Sequence, residues 1–324
     1  MFKAAETYSF FTVEEPAKVD QSALLKRLQR PTGPVDVVLD TDTYNEIDDQ
    51  FALAYLVLNA EKLRLQGIFA APFANEKADT PAEGMEKSRA EIEHILTLMD
   101  RKDLLPLVCR GSTAYLPDEH TPVDSPAARR LVELARAHTP EEPLYVVAIA
   151  AITNVASALL LDPSIRDNIV LVWLGGHAPH YHDNHEFNLM QDVAAARVVL
   201  GCGCAVVLLP CMGVVSAFAT TESELRENIR GRNPLCDYLY EYTVSECNER
   251  AKVPCWSKPI WDVTAVGWLL GEYTLDEFVP SPIPEVDFRW GSDPRRHFIR
   301  RVYHVQRDAL FHDLFEKLAN SSRS

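Results

Sequence analysis

No apolar run in this 324-residue chain reaches the roughly 18 residues that a membrane-spanning helix requires, so no span is expected. The opening residues, MFKAAETYSFFTVEEP, lack a basic segment followed by a long apolar one, which argues against a secretory leader. Cysteine does not form the even, regularly spaced set of a disulfide scaffold. The seven cysteines (109, 202, 204, 211, 236, 247, 255) fall partly in apolar runs and read as reduced, buried thiols of a cytoplasmic protein. Cys202-Gly-Cys204 has no second ligand pair, so it reads as packing rather than as a zinc site. Positive charge is short as well, with 32 Lys and Arg against 47 Asp and Glu and a net charge of −15. That balance repels nucleic-acid polymers and anionic membrane surfaces, but suits a divalent cation or a small neutral ligand. It also keeps a protein soluble with no further role. The chain has no internal repeat and no low-complexity tail.

What is present is an alternation of short apolar, β-branched runs with longer helical patterns. Strands are expected at 35–40, 64–70, 105–109, 144–149, 168–174, 204–209 and 299–305. Helices are expected near 49–60, 83–99, 126–138, 153–161, 191–200 and 221–230. This pattern predicts an α/β fold with an open, mostly parallel, Rossmann-like sheet and helices on both faces. Residues 1–34 read as an N-terminal extension with one helix near 21–29, and 35–324 as a single domain. Residues 231–290 read as mixed helix and loop, and the Pro-rich VPSPIPEVDF as a surface connection. In such sheets ligands bind beyond the carboxyl ends of the strands. Three chemically rich segments fall there: LDTDTYNEIDD, IAAITN and LGGHAPHYHDNHEFN.

The first of these packs Asp40, Asp42, Glu46, Asp48 and Asp49 between two apolar runs. Helix capping accounts for one or two of these carboxylates. It does not account for four Asp at one loop, whose mutual repulsion opposes folding unless a cation neutralises it. Hard oxygen ligands suit Ca²⁺ or Mg²⁺. An apolar strand feeding Asp-x-Asp is shared by two families. Phosphatases of the DxDx[TV] type are matched at Asp40, Asp42 and Thr43, but they also need a later Lys and a separate acidic pair, for which no convincing combination is found. Nucleoside hydrolases of the inosine–uridine-preferring family use Asp-x-Asp followed shortly by Asp-Asp and an apolar helix.

The further marks of the second family occur in order. Asn75 follows the second strand, and AITN (151–154) is similar to its "LTN" segment. LGGHAPHYHDNHEFN ends in Glu186-Phe187-Asn188, and WDVTAV (261–266) resembles its late Asp opening a helix. Over residues 35–270, roughly three-quarters of the chain, the sequence therefore resembles the nucleoside hydrolase superfamily. The resemblance implies a Ca²⁺ ion on the pocket floor held by Asp42, Asp49, Asp262 and the Ile149 carbonyl. It implies Asp42 as proton acceptor for the attacking water and Asp40 as support from behind. Asp48, Asn75, Asn184, Glu186 and Asn188 would bind the sugar of a nucleoside or related riboside. A homodimer or homotetramer is expected. Taken singly, Asn75 and Asn154 also read as turn residues, Asp262 as a helix cap, Trp261 as core and Glu186 as a solvated carboxylate.

Two departures stand out. Five residues, Thr43–Ile47, separate Asp42 from Asp48, where the family has three, commonly with Gly. Many members carry a His before the late Asp as acid toward the leaving base, and here that residue is Trp261. This arrangement resembles that of purine-preferring members, in which an aromatic stacks on the base, and an indole face suits such stacking. His177, His180, His182 and His185 crowd one loop beside Glu186, and His185 is the candidate proton donor there. A non-catalytic riboside-binding protein, reshaped by the longer loop, is the third reading.

Overall fold

The computed structural model describes residues 15–253 and 255–321; the first fourteen residues of the expected N-terminal extension lie outside this range. In chain order the elements begin α1 (Gln21–Arg27), β1 (Val35–Thr41), α2 (Asp48–Leu58), β2 (Leu63–Ala70), α3 (Pro81–Leu98), β3 (Val108–Arg110), α4 (Pro126–Arg136), β4 (Leu144–Ala148), α5 (Thr153–Leu161) and β5 (Ile169–Leu174). There follow α6 (Phe187–Gln191), α7 (Val193–Gly201), β6 (Ala205–Leu209), β7 (Ala219–Thr220), α8 (Glu222–Asn228), α9 (Pro234–Arg250), β8 (Lys258–Pro259) and α10 (Val263–Leu270). The last are β9 (Thr274–Pro280), β10 (Ile283–Pro284), β11 (Trp290–Gly291), β12 (Phe298–Val305) and α11 (Arg307–Asn320). Among the described residues no helix is long and apolar enough to cross a membrane.

The main sheet has eight strands in the order β3-β2-β1-β4-β5-β6-β12-β9, all parallel except β9. Alternate side chains of the central strands feed two separate cores. Val37, Leu39, Val147 and Val172 face one cluster with α2, α3, α10 and α11. Val38, Val146, Leu171 and Trp173 face the other with α4, α5 and α7. That is why these strands read as unbroken apolar runs: both sides of each pleat are buried. The strand order turns back between β1 and β4, which pair in register at Asp40 and Ala148. The crevice beyond the carboxyl ends of strands at such a reversal is where ligands bind in this architecture.

Four expectations need adjustment. Residues 102–107 form a 3₁₀ helix with Pro106 inside it, so the expected strand at 105–109 shrinks to β3. The helix expected at 191–200 is two, broken at Asp192, whose side chain caps α7 through the Ala195 N–H at 2.9 Å. The irregular stretch contains α9, a 17-residue helix. The Pro-rich connection ends β9 and then supplies β10, paired to β11. Strand β9 escaped detection because it is an edge strand whose TLDEFVP mixes charge with apolar residues and buries only Thr274 fully. Helix α1 is anchored by Leu24 and Leu28, both fully buried, and lies against β6 and β12.

Candidate active site

Strand β1 carries Asp40, Thr41 and Asp42 out at its carboxyl end. The chain turns, with the Asn45 N–H donating to the Asp42 carbonyl at 2.7 Å, and Asp48 and Asp49 then open α2. Helix α2 is buried over ten successive residues from Asp48, so its first turn cannot present its acids to solvent. Asp262 arrives from a distant part of the chain at the start of α10. It makes no side-chain capping hydrogen bond there, so the cap reading of this residue fails. Carboxylate oxygens of Asp48, Asp49 and Asp262 all lie within 4.8 Å of one another. Asp42 is 1% exposed and its Oδ2 is sealed from water with no hydrogen-bond partner.

Burial first, and then mutual repulsion, pushes these acids up. Asp42, Asp49 and Asp262 rise well above the ordinary carboxylate value, and Asp48 rises to about 6. Asp40, behind them, is pushed up to about 7 by burial and drawn back by the Asn154 amide, 2.8 Å away. Asn154 in turn accepts the Ser112 N–H and hydroxyl at 2.7 and 2.8 Å. Four buried, mutually repelling carboxylates with an orphaned oxygen form an all-oxygen donor set that fits a hard divalent cation.

A cavity of about 210 Å³ opens above them, small beside the roughly 300–1,000 Å³ of typical small-molecule sites. Asp42, Asp48, Asp49, Asp262, Ile149, Glu186, Asn188, His185 and Trp261 all line it. Asn75 and Asn184 do not. Asn75 donates to the Asn45 amide oxygen at 2.7 Å, and Asn184 accepts the His177 N–H. Glu186 is engaged by the backbone: it caps α6 and accepts N–H bonds from Gly176, Asn188 and Leu189 at 2.8–3.0 Å. Burial pushes it up to about 7. The Asn188 amide nitrogen donates to the Leu174 carbonyl at 3.1 Å.

The lengthened loop is pinned by two lysines that the sequence did not point to. Lys77 donates to the Asn45 carbonyl at 2.8 Å and to Glu246 of α9 at 2.7 Å. Lys258 pairs with Glu46, and its ammonium lies 4.6 Å over the Trp261 ring. A sixth acid at the cavity calls for a counter-ion, and that demand was the available signal for Lys258. His177 was one of four histidines in its loop, and nothing in the sequence separates it from the rest. In the structure it lines the cavity, 7% exposed.

A buried carboxylate cluster at the reversal of a doubly wound parallel sheet defines a small-molecule site of an α/β protein, built to face positive charge. Comparison gives the class its family: a family model described as "Inosine-uridine preferring nucleoside hydrolase" matches residues 37–306, and the chain belongs to that family. The chain is 31% identical over 93 residues to an inosine-uridine preferring nucleoside hydrolase of Leishmania major, spanning 28% of this chain and 29% of that one. It is 27% identical over 227 residues to a probable uridine nucleosidase 2 of Arabidopsis thaliana, 63% of this chain and 67% of that one. A plant nucleoside hydrolase structure superposes with a TM-score of 0.70 at 18% identity, covering 88% of this chain and 99% of that one, a likeness of fold.

Proposed function

We propose that the protein hydrolyses the N-glycosidic bond of a ribonucleoside or related riboside to a free base and ribose, with Ca²⁺ as its ion. The observation that carries this is the convergence of Asp42, Asp48, Asp49 and Asp262, from two ends of the chain, at the floor of one cavity. Asp42, Asp49, Asp262 and the Ile149 carbonyl would hold the ion, with Asp48 adjoining or joining them. A cation bound there supplies charge that grips sugar hydroxyls and acidifies a water. Asp42, which lines the cavity, takes the proton from the attacking water. Asp48 and the Asn188 amide oxygen face the sugar. Their negative and dipolar charge stabilises the positive charge that grows on it as the bond to the base stretches. Asp40 and Asn154 hold the strand end from behind.

Trp261 meets the base. Lys258 covers one face of its indole, which leaves the other for a ring and favours purines. The cytoplasmic location and the homodimer or homotetramer implied by the family belong to the same proposal; light scattering of the purified protein reads the assembly.

The phosphatase reading needs Asp40 as an accessible nucleophile. Asp40 is fully buried, tied to Asn154 and absent from the cavity lining, which speaks against it. Release of ribose from inosine, adenosine, uridine and cytidine tests the proposal. Turnover abolished by chelation and restored by Ca²⁺ supports it. Tight nucleoside binding without any release favours a binding protein instead.

A further inference from the structure

The cavity lining divides into two parts. The carboxylates and Asn188 offer acceptors to a sugar. Away from them are Leu174, Phe187, Cys211, Met212, Trp261 and the two histidines, His177 and His185, where a departing base must lie. In this part the Trp261 Nε1 is sealed in without a partner, so the cavity does not reach it. His177 differs. Its Nδ1 accepts the Met212 backbone N–H at 3.2 Å. An amide N–H can only donate, so Nδ1 is unprotonated and Nε2 carries the hydrogen. Nε2 has no partner among the described residues and is not among the sealed-in polar atoms, so it is accessible, and the ring that carries it lines the cavity.

The ring is also held. The His177 N–H donates to Asn184 Oδ1 at 2.5 Å, and its carbonyl accepts from Trp290 Nε1 at 2.8 Å. Tyr181 packs edge-on at 4.8 Å. Gly176, at φ +70°, sets the turn just before it; a Cβ there would drive into the Trp290 ring and Asn184. His185, by contrast, is half exposed, held by Asp183 at 3.3 Å, with its ring against Phe288.

We propose that His177 is a catalytic residue whose Nε2–H hydrogen-bonds the departing base and stabilises the negative charge gathering on it; this rests on the nucleoside hydrolase reading above. Burial holds the imidazole in its neutral form against Asp183, with His182 and His185 adding to the downward push. His177 therefore acts as a fixed donor and keeps its proton. As the bond between the anomeric carbon and the base nitrogen breaks, its electron pair stays on the nitrogen, which accepts the Nε2–H bond. The water's oxygen joins the anomeric carbon, one of its protons passes to Asp42, and the released base takes its own proton from solvent.

The test compares two substrates of the holoenzyme with Ca²⁺. Uridine and inosine need help at the leaving group; 4-nitrophenyl riboside, whose phenolate departs unaided, does not. His177→Asn keeps an acceptor for the Met212 N–H and removes the Nε2–H. The expected result is a loss in kcat/KM of about 10²–10³-fold on nucleosides, the effect of removing one preorganised donor, with the nitrophenyl riboside nearly unchanged. That retained activity also shows that the variant is folded, and His177→Gln provides a second variant. The shape of the pH profile stays the same, since the donor is neutral. An equal loss on both substrates, no loss on nucleosides, or a pH limb that vanishes in the variant overturns the inference. Wild-type protein that hydrolyses nitrophenyl riboside but no nucleoside also overturns it. Wild-type protein that hydrolyses neither overturns the hydrolase reading itself.

Discussion

Two loops at the carboxyl edge of the sheet bury acids to the same depth and satisfy them in opposite ways. After β5, Glu186 accepts three backbone N–H groups and so closes its own strand-to-helix corner. After β1 and before α10, Asp42, Asp48, Asp49 and Asp262 receive the Thr41 hydroxyl on Asp49 and otherwise press mainly on one another, with one oxygen orphaned. Burial does not distinguish these loops; the supply of donors does. A carboxylate held by three backbone amides is part of the frame. A group whose charge the protein leaves unmet is poised for something brought from outside. The family resemblance implies Glu186 on the sugar; in the structure it lines the cavity and also caps α6.

The largest expected effect comes from the unmet side. Asp42→Asn removes the proposed proton acceptor while keeping the shape, and kcat is expected to fall about 10²–10⁴-fold. Loss of a repelling charge should at the same time raise the melting temperature of the chelated protein. Activity within tenfold of wild type would remove Asp42 from the chemistry.

Next in size is the response to the ion. Saturating Ca²⁺ at about 100 times its Kd should stabilise the protein by about 2.7 kcal/mol. The sign of the pH dependence follows from the raised carboxylates. Asp40 and Glu186 at about 7 and Asp48 at about 6 hold protons in the folded protein that the unfolded chain releases near 4. Their contribution is fully present below pH 4 and is lost as pH rises through 6 and 7. Chelated protein should therefore lose melting temperature between pH 5 and 8, and the gain on adding Ca²⁺ should be larger at pH 8. A Ca²⁺ effect independent of pH would separate the ion from this cluster.

On the satisfied side, Glu186→Ala strips three N–H groups of their partner. The expected cost is about 2 kcal/mol in urea unfolding, from a lost cap and buried donors left unmet. KM for the nucleoside should rise less than stability falls. A large KM effect with unchanged stability would return Glu186 to the sugar.

The order of these residues was legible because it is chemically improbable: four Asp at one strand end have few structural uses, and an apolar strand before them fixes the edge on which they sit. The central strands were legible because burial on both faces removes polar interruption, as in LYVVA at Leu144–Ala148 and IVLVWL at Ile169–Leu174. What stayed hidden depends on meetings far apart in sequence. Nothing local to Asn75 shows that it bonds to Asn45, or local to Lys258 that it answers Glu46. The tautomer of His177 was equally out of reach, since it is set by an amide 35 residues away.

The smallest effect concerns that lengthened loop. Glu46 keeps 31% of its side chain exposed while Lys258 keeps 11%, so their pair is only partly desolvated. Breaking it should therefore cost less than the roughly 3–5 kcal/mol of a fully buried pair. Lys258→Met leaves Glu46 uncompensated beside Asp48, and about 1–2 kcal/mol is expected to be lost. Adding Glu46→Gln removes the stranded charge and should restore most of it, a coupling of about 1 kcal/mol in a double-mutant cycle. If the loop is clamped mainly from its other end, by Lys77 and Asn75, the cycle closes near zero and Lys77→Met shows the loss instead. Purine-to-pyrimidine preference measured on the same variants separates the two clamps by function, because Lys258 also covers a face of Trp261 and Lys77 does not. A preference that shifts with Lys258 alone assigns base selection to the indole and its cation; a shift with either lysine assigns it to the position of the loop.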